Sequence, residues 1–415
     1  MSDTPQGQAP NSFGAAARAS DYIEEDTVRP ETLGRRAAAD PPAERPIPPM
    51  PASPASAGVS SPAAPASPSE APVEAAPAAE PVEPTGSVLF GGGYPAPVET
   101  APQKATKGFR GVLASMGIPV KPSAAEAAEY AARAEAEARR ERNRTTIRQA
   151  TWTRAVSILV ANPKGGTGKT PSSVLLGGTI ASIRGGSTAI VEVADDPGTL
   201  NQRSEGDPRL GIGELVRDVD TITSAGQLLG YTAPQTSYAS VICSPLHQQR
   251  ERLTGEAVVA VSKLIDEYYG IRVMDSGNQP TSSAFRGAVS VADVLVIPVL
   301  NAGDSVLEAV HLLSELRSEG GYPAELAARA IAVRLTDGRP EIEGAREEVE
   351  ARLRAAGVQS LHEIPYDEHI AVRGQLSLGR LAPATQDAFA AAAADIVRTL
   401  QEVVDSASPI HNRKA

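Results

Sequence analysis

The chain has 415 residues, a formal net charge of −11, 35 prolines, 36 glycines and a single cysteine, Cys243. One cysteine excludes a disulfide scaffold and a cysteine-based metal site. No 18-residue apolar run and no charged-then-apolar leader occur, so neither a transmembrane helix nor a secretory signal is expected and a cytoplasmic chain is the default. The acidic balance excludes a wholly basic nucleic-acid binder, though not a local basic patch.

Composition splits the chain. Twenty of the 35 prolines precede Lys107, in a stretch rich in Ala, Pro, Ser and Glu. Such a stretch buries too little apolar area to offset its ordering entropy, so residues 1–108 are expected to be a disordered Pro/Ala-rich tail. Residues 109–118 form a short apolar island closed by Pro119 and Pro122. Residues 123–150 are almost all good helix formers, with Ser123 and Glu126 at capping-box spacing. Glutamates lie early in this segment and Arg139, Arg140, Arg142, Arg144 and Arg148 late, which complements the helix dipole. Two readings stand for it: a solvated connecting helix, or a patch for non-specific DNA or another anionic surface.

From about 151 to 405 the pattern alternates. Strands are expected at 156–161, 189–193, 240–243, 271–274, 294–299 and 330–333, and helices at 168–184, 254–268, 303–319, 344–356 and 383–404. That alternation predicts an α/β fold with a mostly parallel sheet covered by helices on both faces. The last helix carries an apolar face through Phe389, Ala392, Ile396 and Leu400. Residues 406–415 are a short polar tail.

The decisive segment is Asn162-Pro-Lys-Gly-Gly-Thr-Gly-Lys-Thr170. It follows a buried strand and opens a helix, the context of a phosphate loop in a P-loop NTPase fold. Backbone N–H groups of Gly165, Gly166, Thr167 and Gly168 can face phosphates, Lys169 can reach the β- and γ-phosphates, and Thr170 can bind Mg²⁺. Pro163 replaces the first glycine of the strict pattern, and an additional lysine, Lys164, precedes the glycines.

Lys-Gly-Gly-x-Gly-Lys-Thr resembles the deviant phosphate loop (deviant Walker A) of the ParA/MinD ATPases. The resemblance implies ATP and Mg²⁺ as ligands and an ATP-dependent homodimer in which Lys164 reaches the partner's phosphates, much as an arginine finger does. It further implies Asp275, at a strand end, for the Mg²⁺ shell, and Pro365 and Asp367, in Ile364-Pro-Tyr-Asp367, for the loop beside the base. The family's second strand carries Asp-x-Asp. Here Glu192 keeps the first carboxylate and Ala194 lacks the second, which leaves Asp195 or Asp196 to substitute if the loop shifts. Pro171 stands where the family has a hydroxyl. Together these departures imply a slow ATPase.

Further segments, among them Asp196-Pro-Gly-Thr-Leu200, Asp275-Ser-Gly-Asn, Ile364-Pro-Tyr-Asp-Glu-His-Ile370 and Arg380-Leu-Ala-Pro-Ala-Thr385, resemble actinobacterial MinD/ParA-like proteins associated with type VII (ESX) secretion systems. That branch implies a protein partner in a membrane-associated machine. The alternatives are a partitioning ATPase recruited to the nucleoid by non-specific DNA binding, and an ATP-binding scaffold with little hydrolysis.

Overall fold

The computed structural model describes residues 106–116, 121–246 and 250–407. The Pro/Ala-rich segment up to residue 105 and the polar end from 408 lie outside the described residues, as do residues 117–118 of the apolar island.

Eight strands form one sheet: β1 Val156–Val160, β2 Thr188–Glu192, β3 Ala233–Pro234, β4 Ser240–Ile242, β5 Ile271–Asp275, β6 Val294–Val299, β7 Ile331–Leu335 and β8 Ser360–Ile364. Their order is β3-β4-β2-β5-β1-β6-β7-β8. Every pair is parallel except β3 with β4. The central strands β2, β5, β1 and β6 are buried along their whole length because both sheet faces are covered. Val156, Ile158 and Val160 of β1 enter one hydrophobic layer, while Leu159 enters the other. The α/β class expected from the alternation is what forms.

Thirteen helices occur among the described residues. In chain order they are α1 Gly108–Ser115, α2 Ala124–Gln149, α3 Lys169–Arg184, α4 Leu200–Arg203, α5 Ile212–Asp218, α6 Ala225–Leu229 and α7 Gly255–Tyr268. After them come α8 Ser283–Ser290, α9 Gly303–Glu319, α10 Gly321–Ala328, α11 Ala345–Ala355, α12 Glu368–Ala371 and α13 Pro383–Ala407. Helices α3 and α13 cover one face, with Leu175, Leu176, Phe389, Ile396 and Leu400 fully buried there, and α7 to α10 cover the other. Helix α3 lies close to the sheet because Gly177 has no side chain. A Cβ there would stand 2.7 Å from Ile190 Cγ1. Cys243, just past β4, is buried, and burial pushes its thiol up to about 12. Among the described residues no helix is long and apolar enough to cross a membrane.

Segment 123–150 forms α2, and of its two readings the solvated connecting helix describes only the first half. Apart from the buried Glu126, the first half of α2 is largely exposed, but its C-terminal end docks on α3 and α13. Ile147 and Ala150 are buried, and Arg184 Nη1 donates to the Ile147 and Ala150 carbonyls at 2.7 and 2.9 Å. The capping box is also half formed. Ser123 Oγ accepts from Glu126 N at 3.2 Å, whereas the Glu126 carboxylate turns to Thr106 N at 2.5 Å. Those backbone and side-chain bonds from Thr106 hold the Glu126 carboxyl down at about 2.

Candidate functional site

The loop between β1 and α3 lies at the carboxyl ends of the strands, where parallel α/β sheets bind ligands. It opens on a cavity of about 870 Å³. Gly166 and Gly168 adopt φ of 81° and 92°, the left-handed region that spares only glycine from strain. The first turn of α3, Lys169–Pro171, then lines the cavity. Asn162 braces the loop from beneath. Its Nδ2 donates to the carbonyls of Pro298 and Ser305 at 2.9 and 3.2 Å, and its Oδ1 accepts from Lys164 N at 2.9 Å.

Lys169 is buried and folded across the loop. Its Nζ donates to the Asn162 carbonyl at 2.8 Å, the Lys164 carbonyl at 3.2 Å and Asn278 Oδ1 at 2.5 Å. Burial lowers its pKa to about 8, with Asp275 opposing. Every one of its partners is neutral or partial in charge, so an anion entering the cavity would be a stronger partner than those it has. Behind it, Asp275 at the end of β5 accepts from Thr170 Oγ1 at 2.8 Å and Ser173 Oγ at 3.0 Å. Burial pushes the Asp275 carboxyl up to about 6. A hydroxyl and a carboxylate converging beside a phosphate loop are the donor set of a Mg²⁺ site, since that ion takes one or two protein oxygens plus phosphates and water. The residues present fit it.

The remaining expected site residues divide. Gly166, Gly168, Lys169, Thr170, Glu192, Asp275, Pro365 and Asp367 line the one cavity. Gly165, Thr167, Lys164 and Asp196 do not. Thr167 is buried, its Oγ1 donating to the Lys164 carbonyl at 3.3 Å. Lys164 points outward, 45% exposed, with Nζ 2.9 Å from Asp304 at the start of α9. Asp196 is 57% exposed and pairs with Arg252 at 3.0 Å. Glu192 is 1% exposed and fully engaged. It accepts from Gly198 N at 2.8 Å, Ser244 N at 2.9 Å, Ser244 Oγ at 3.0 Å and Arg250 Nη2 at 2.9 Å. Asp367 is the cap of α12, accepting from His369 N and Ala382 N, each at 2.9 Å. The arginines of α2 are exposed, and Arg140 pairs with Asp387 of α13 at 2.5 Å.

Three residues at the site were not among those expected there from the sequence. Asn278 follows β5 by three positions and reaches Lys169. Arg250 comes from a loop more than 50 positions beyond Glu192. Arg203 lines the cavity from α4, beyond the loop motif. Of these, only Asn278 had a local signal, its place just after a strand-end aspartate.

With this geometry in view, the chain can be set beside known proteins. No protein-family model matches it. The chain is similar to ParA and MinD ATPases. A ParA family ATPase from Chlorobium tepidum shares 17% identity, with 59% of this chain and 98% of that chain covered and a TM-score of 0.49. The cell division ATPase MinD of Pyrococcus furiosus shares 16%, over 59% and 99% of the two chains, with a TM-score of 0.45. Among curated proteins, the ESX-1 secretion-associated protein EspI of Mycobacterium tuberculosis is 23% identical over 229 residues, 54% of this chain and 34% of that protein. The chain thus spans about a third of the length of the curated relative it matches. Both branches of the resemblance read from the motifs, ParA/MinD and secretion-associated, recur in these comparisons.

Proposed function

We propose that the chain is an ATP-binding, ParA/MinD-like ATPase whose nucleotide-dependent pairing of two copies regulates a membrane-associated, type VII secretion-like machine. The observation that carries the nucleotide reading is the Lys169 ammonium held on loop carbonyls above the Thr170–Asp275 pair. In this reading Lys169 exchanges its carbonyl partners for the β- and γ-phosphates, and the Gly165–Gly168 amides hold the phosphate oxygens. Mg²⁺, held by Thr170 and through water by Asp275, would supply charge neutralisation at those phosphates. Pro365 and Asp367 would flank the base. Lys164 stands outside its own cavity on an exposed lip, which supports its acting on a second copy.

Hydrolysis would be slow. Glu192 is occupied by Arg250, Asp196 is turned outward toward Arg252, and Ala194 offers no carboxylate to orient water. The same observations favour, as a second reading, a scaffold that binds ATP with little turnover. The exposed Arg139, Arg142 and Arg144 favour the partitioning alternative, which requires duplex-DNA binding that weakens steeply with salt.

The test is titration of the purified chain with ATP and Mg²⁺, with light scattering for mass. Wild type should bind and double in mass, and Lys169→Ala should do neither. Wild type that ignores ATP overturns the nucleotide reading. ATP-loaded protein that captures no secretion component from a source carrying such a system overturns the regulatory one. ATP-loaded protein that binds duplex DNA favours partitioning.

A further inference from the structure

Arg203 ends the short helix α4 and is 6% exposed. Among the described residues, Nη2 alone of its guanidinium nitrogens has a hydrogen-bond partner, the Ile370 carbonyl at 3.2 Å. Its Nε and Nη1 are buried with none. Guanidinium donors left unpaired in a protein interior are costly, because burial strips their water and nothing replaces it. Yet Arg203 lines the phosphate-loop cavity, and so does Arg373, whose backbone is held at φ 57°. Among the described residues no carboxylate is hydrogen-bonded to Arg203, and burial together with the neighbouring Arg373 lowers its pKa. Two arginines lining one cavity describe a place for an anion.

Its position along the cavity narrows the anion's identity. Thr199, one helical turn before Arg203, stands with its hydroxyl 3.3 Å from that of Thr170. Ile370, which Arg203 touches, belongs with Pro365 and Asp367 to a wall of the cavity, the wall that the proposed function sets beside the base. Arg203 therefore lies between the β/γ-phosphate end of the loop and that wall. On the same stretch, the first turn of α3 has proline at 171, which offers neither an N–H nor a hydroxyl. We propose that Arg203, backed by Arg373, binds the 5′ α-phosphate of the nucleotide, supplying the donors that the loop lacks at Pro171. This rests on the nucleotide reading above and adds a contact to it.

The test compares wild type with Arg203→Met and Arg203→Lys in the full chain. Binding of ATP, ADP, AMP and adenosine is measured by displacement of a fluorescent ATP analogue, and melting of the unliganded proteins is measured in parallel. Losing a forked charge-assisted contact should weaken ATP, ADP and AMP about 10- to 100-fold in Arg203→Met, with adenosine changed less than about twofold. Arg203→Lys keeps the charge without the fork and should fall between. Unliganded Arg203→Met should melt at or above wild type, since an incompletely paired buried cation has been removed. AMP affinity within about twofold of wild type overturns the inference, and so does an adenosine loss as large as that of AMP. An unliganded Arg203→Met that melts lower while AMP binding is unchanged would assign Arg203 a purely structural role. Should Arg203→Met fail to fold, Arg203→Lys decides by the same ratios. Wild type that binds none of the nucleotides removes the nucleotide reading itself, an outcome distinct from a variant that binds as wild type does.

Discussion

Arg250 offers the most direct test of how the β2 end of the cavity is held. Its side chain is 5% exposed and meets a Glu192 that is 1% exposed. It donates to Glu192 Oε1 at 2.9 Å, Ser244 Oγ at 2.8 Å and the carbonyls of Asp195, Ala194 and Glu251 at 2.6, 2.8 and 3.1 Å. Arg250→Met would leave Glu192 with its three remaining donors but no countercharge, and would strip the loop carbonyls of theirs. Breaking a buried pair from one side costs about 3–5 kcal/mol. For a domain of this size that corresponds to a fall in melting temperature of about 10 °C, taking 2–4 °C per kcal/mol. Thermal unfolding by circular dichroism and urea midpoints would measure it. Glu192→Gln strands Arg250 instead and should cost a similar amount. The double variant Glu192→Gln/Arg250→Met should cost clearly less than the sum of the two. An Arg250→Met protein melting within about 2 °C of wild type, or strictly additive costs, would refute the view that Glu192 is held as a structural ion pair.

Other expectations follow from the same geometry. Gly168→Ala places a Cβ at φ 92° and 3.1 Å from Leu335 Cδ2, and should cost about 1–2 kcal/mol by denaturant midpoint. Lys164→Ala should bind ATP with nearly unchanged affinity but fail to pair on ATP addition, read by light scattering, because its ammonium faces Asp304 and not its own cavity. Asp395 supplies the pH test. The hydrogen bond from His362 Nε2 at 2.9 Å, with others from Ser360 and Arg398, holds its carboxyl at about 2. A carboxyl depressed on folding contributes stability above its unfolded value near 4, and that contribution is lost as pH falls toward 2. Asp395→Asn should therefore cost about 1–2 kcal/mol at pH 7, discounted for partial exposure, with the gap closing at pH 2. A pH-independent gap would contradict it.

What the sequence made legible was what is local. Strand β6 announces itself as a continuous apolar run and β1 nearly so, because both of their faces are covered, and the loop motif is legible because its chemistry resides in adjacent backbone groups. Strand β8, Ser360-Leu-His-Glu-Ile364, lies at a sheet edge, and only Ile364 is fully buried, so it lacks such a run. Helix α8 was hidden by its small residues. Gly255 and Gly287 let α7 and α8 cross so closely that a Cβ on Gly287 would stand 2.5 Å from the Gly255 carbonyl. With only eight residues, the apolar periodicity that α8 has is too short to stand out in the sequence. Arg250 and Arg203 were illegible for a different reason. Their roles arise from topology, which brings residues distant in sequence to the same strand ends, and no spacing rule encodes that.

The buried thiol of Cys243 has a practical consequence. A thiol pushed up to about 12 and shielded from solvent is almost wholly protonated at neutral pH, so maleimides and disulfide exchange leave it untouched. Because the chain has no other cysteine, it is chemically silent as it stands. A single Asp304→Cys substitution on the exposed lip would give one reactive handle free of background. Cross-linking through it, with and without ATP, would report directly whether two phosphate loops come face to face.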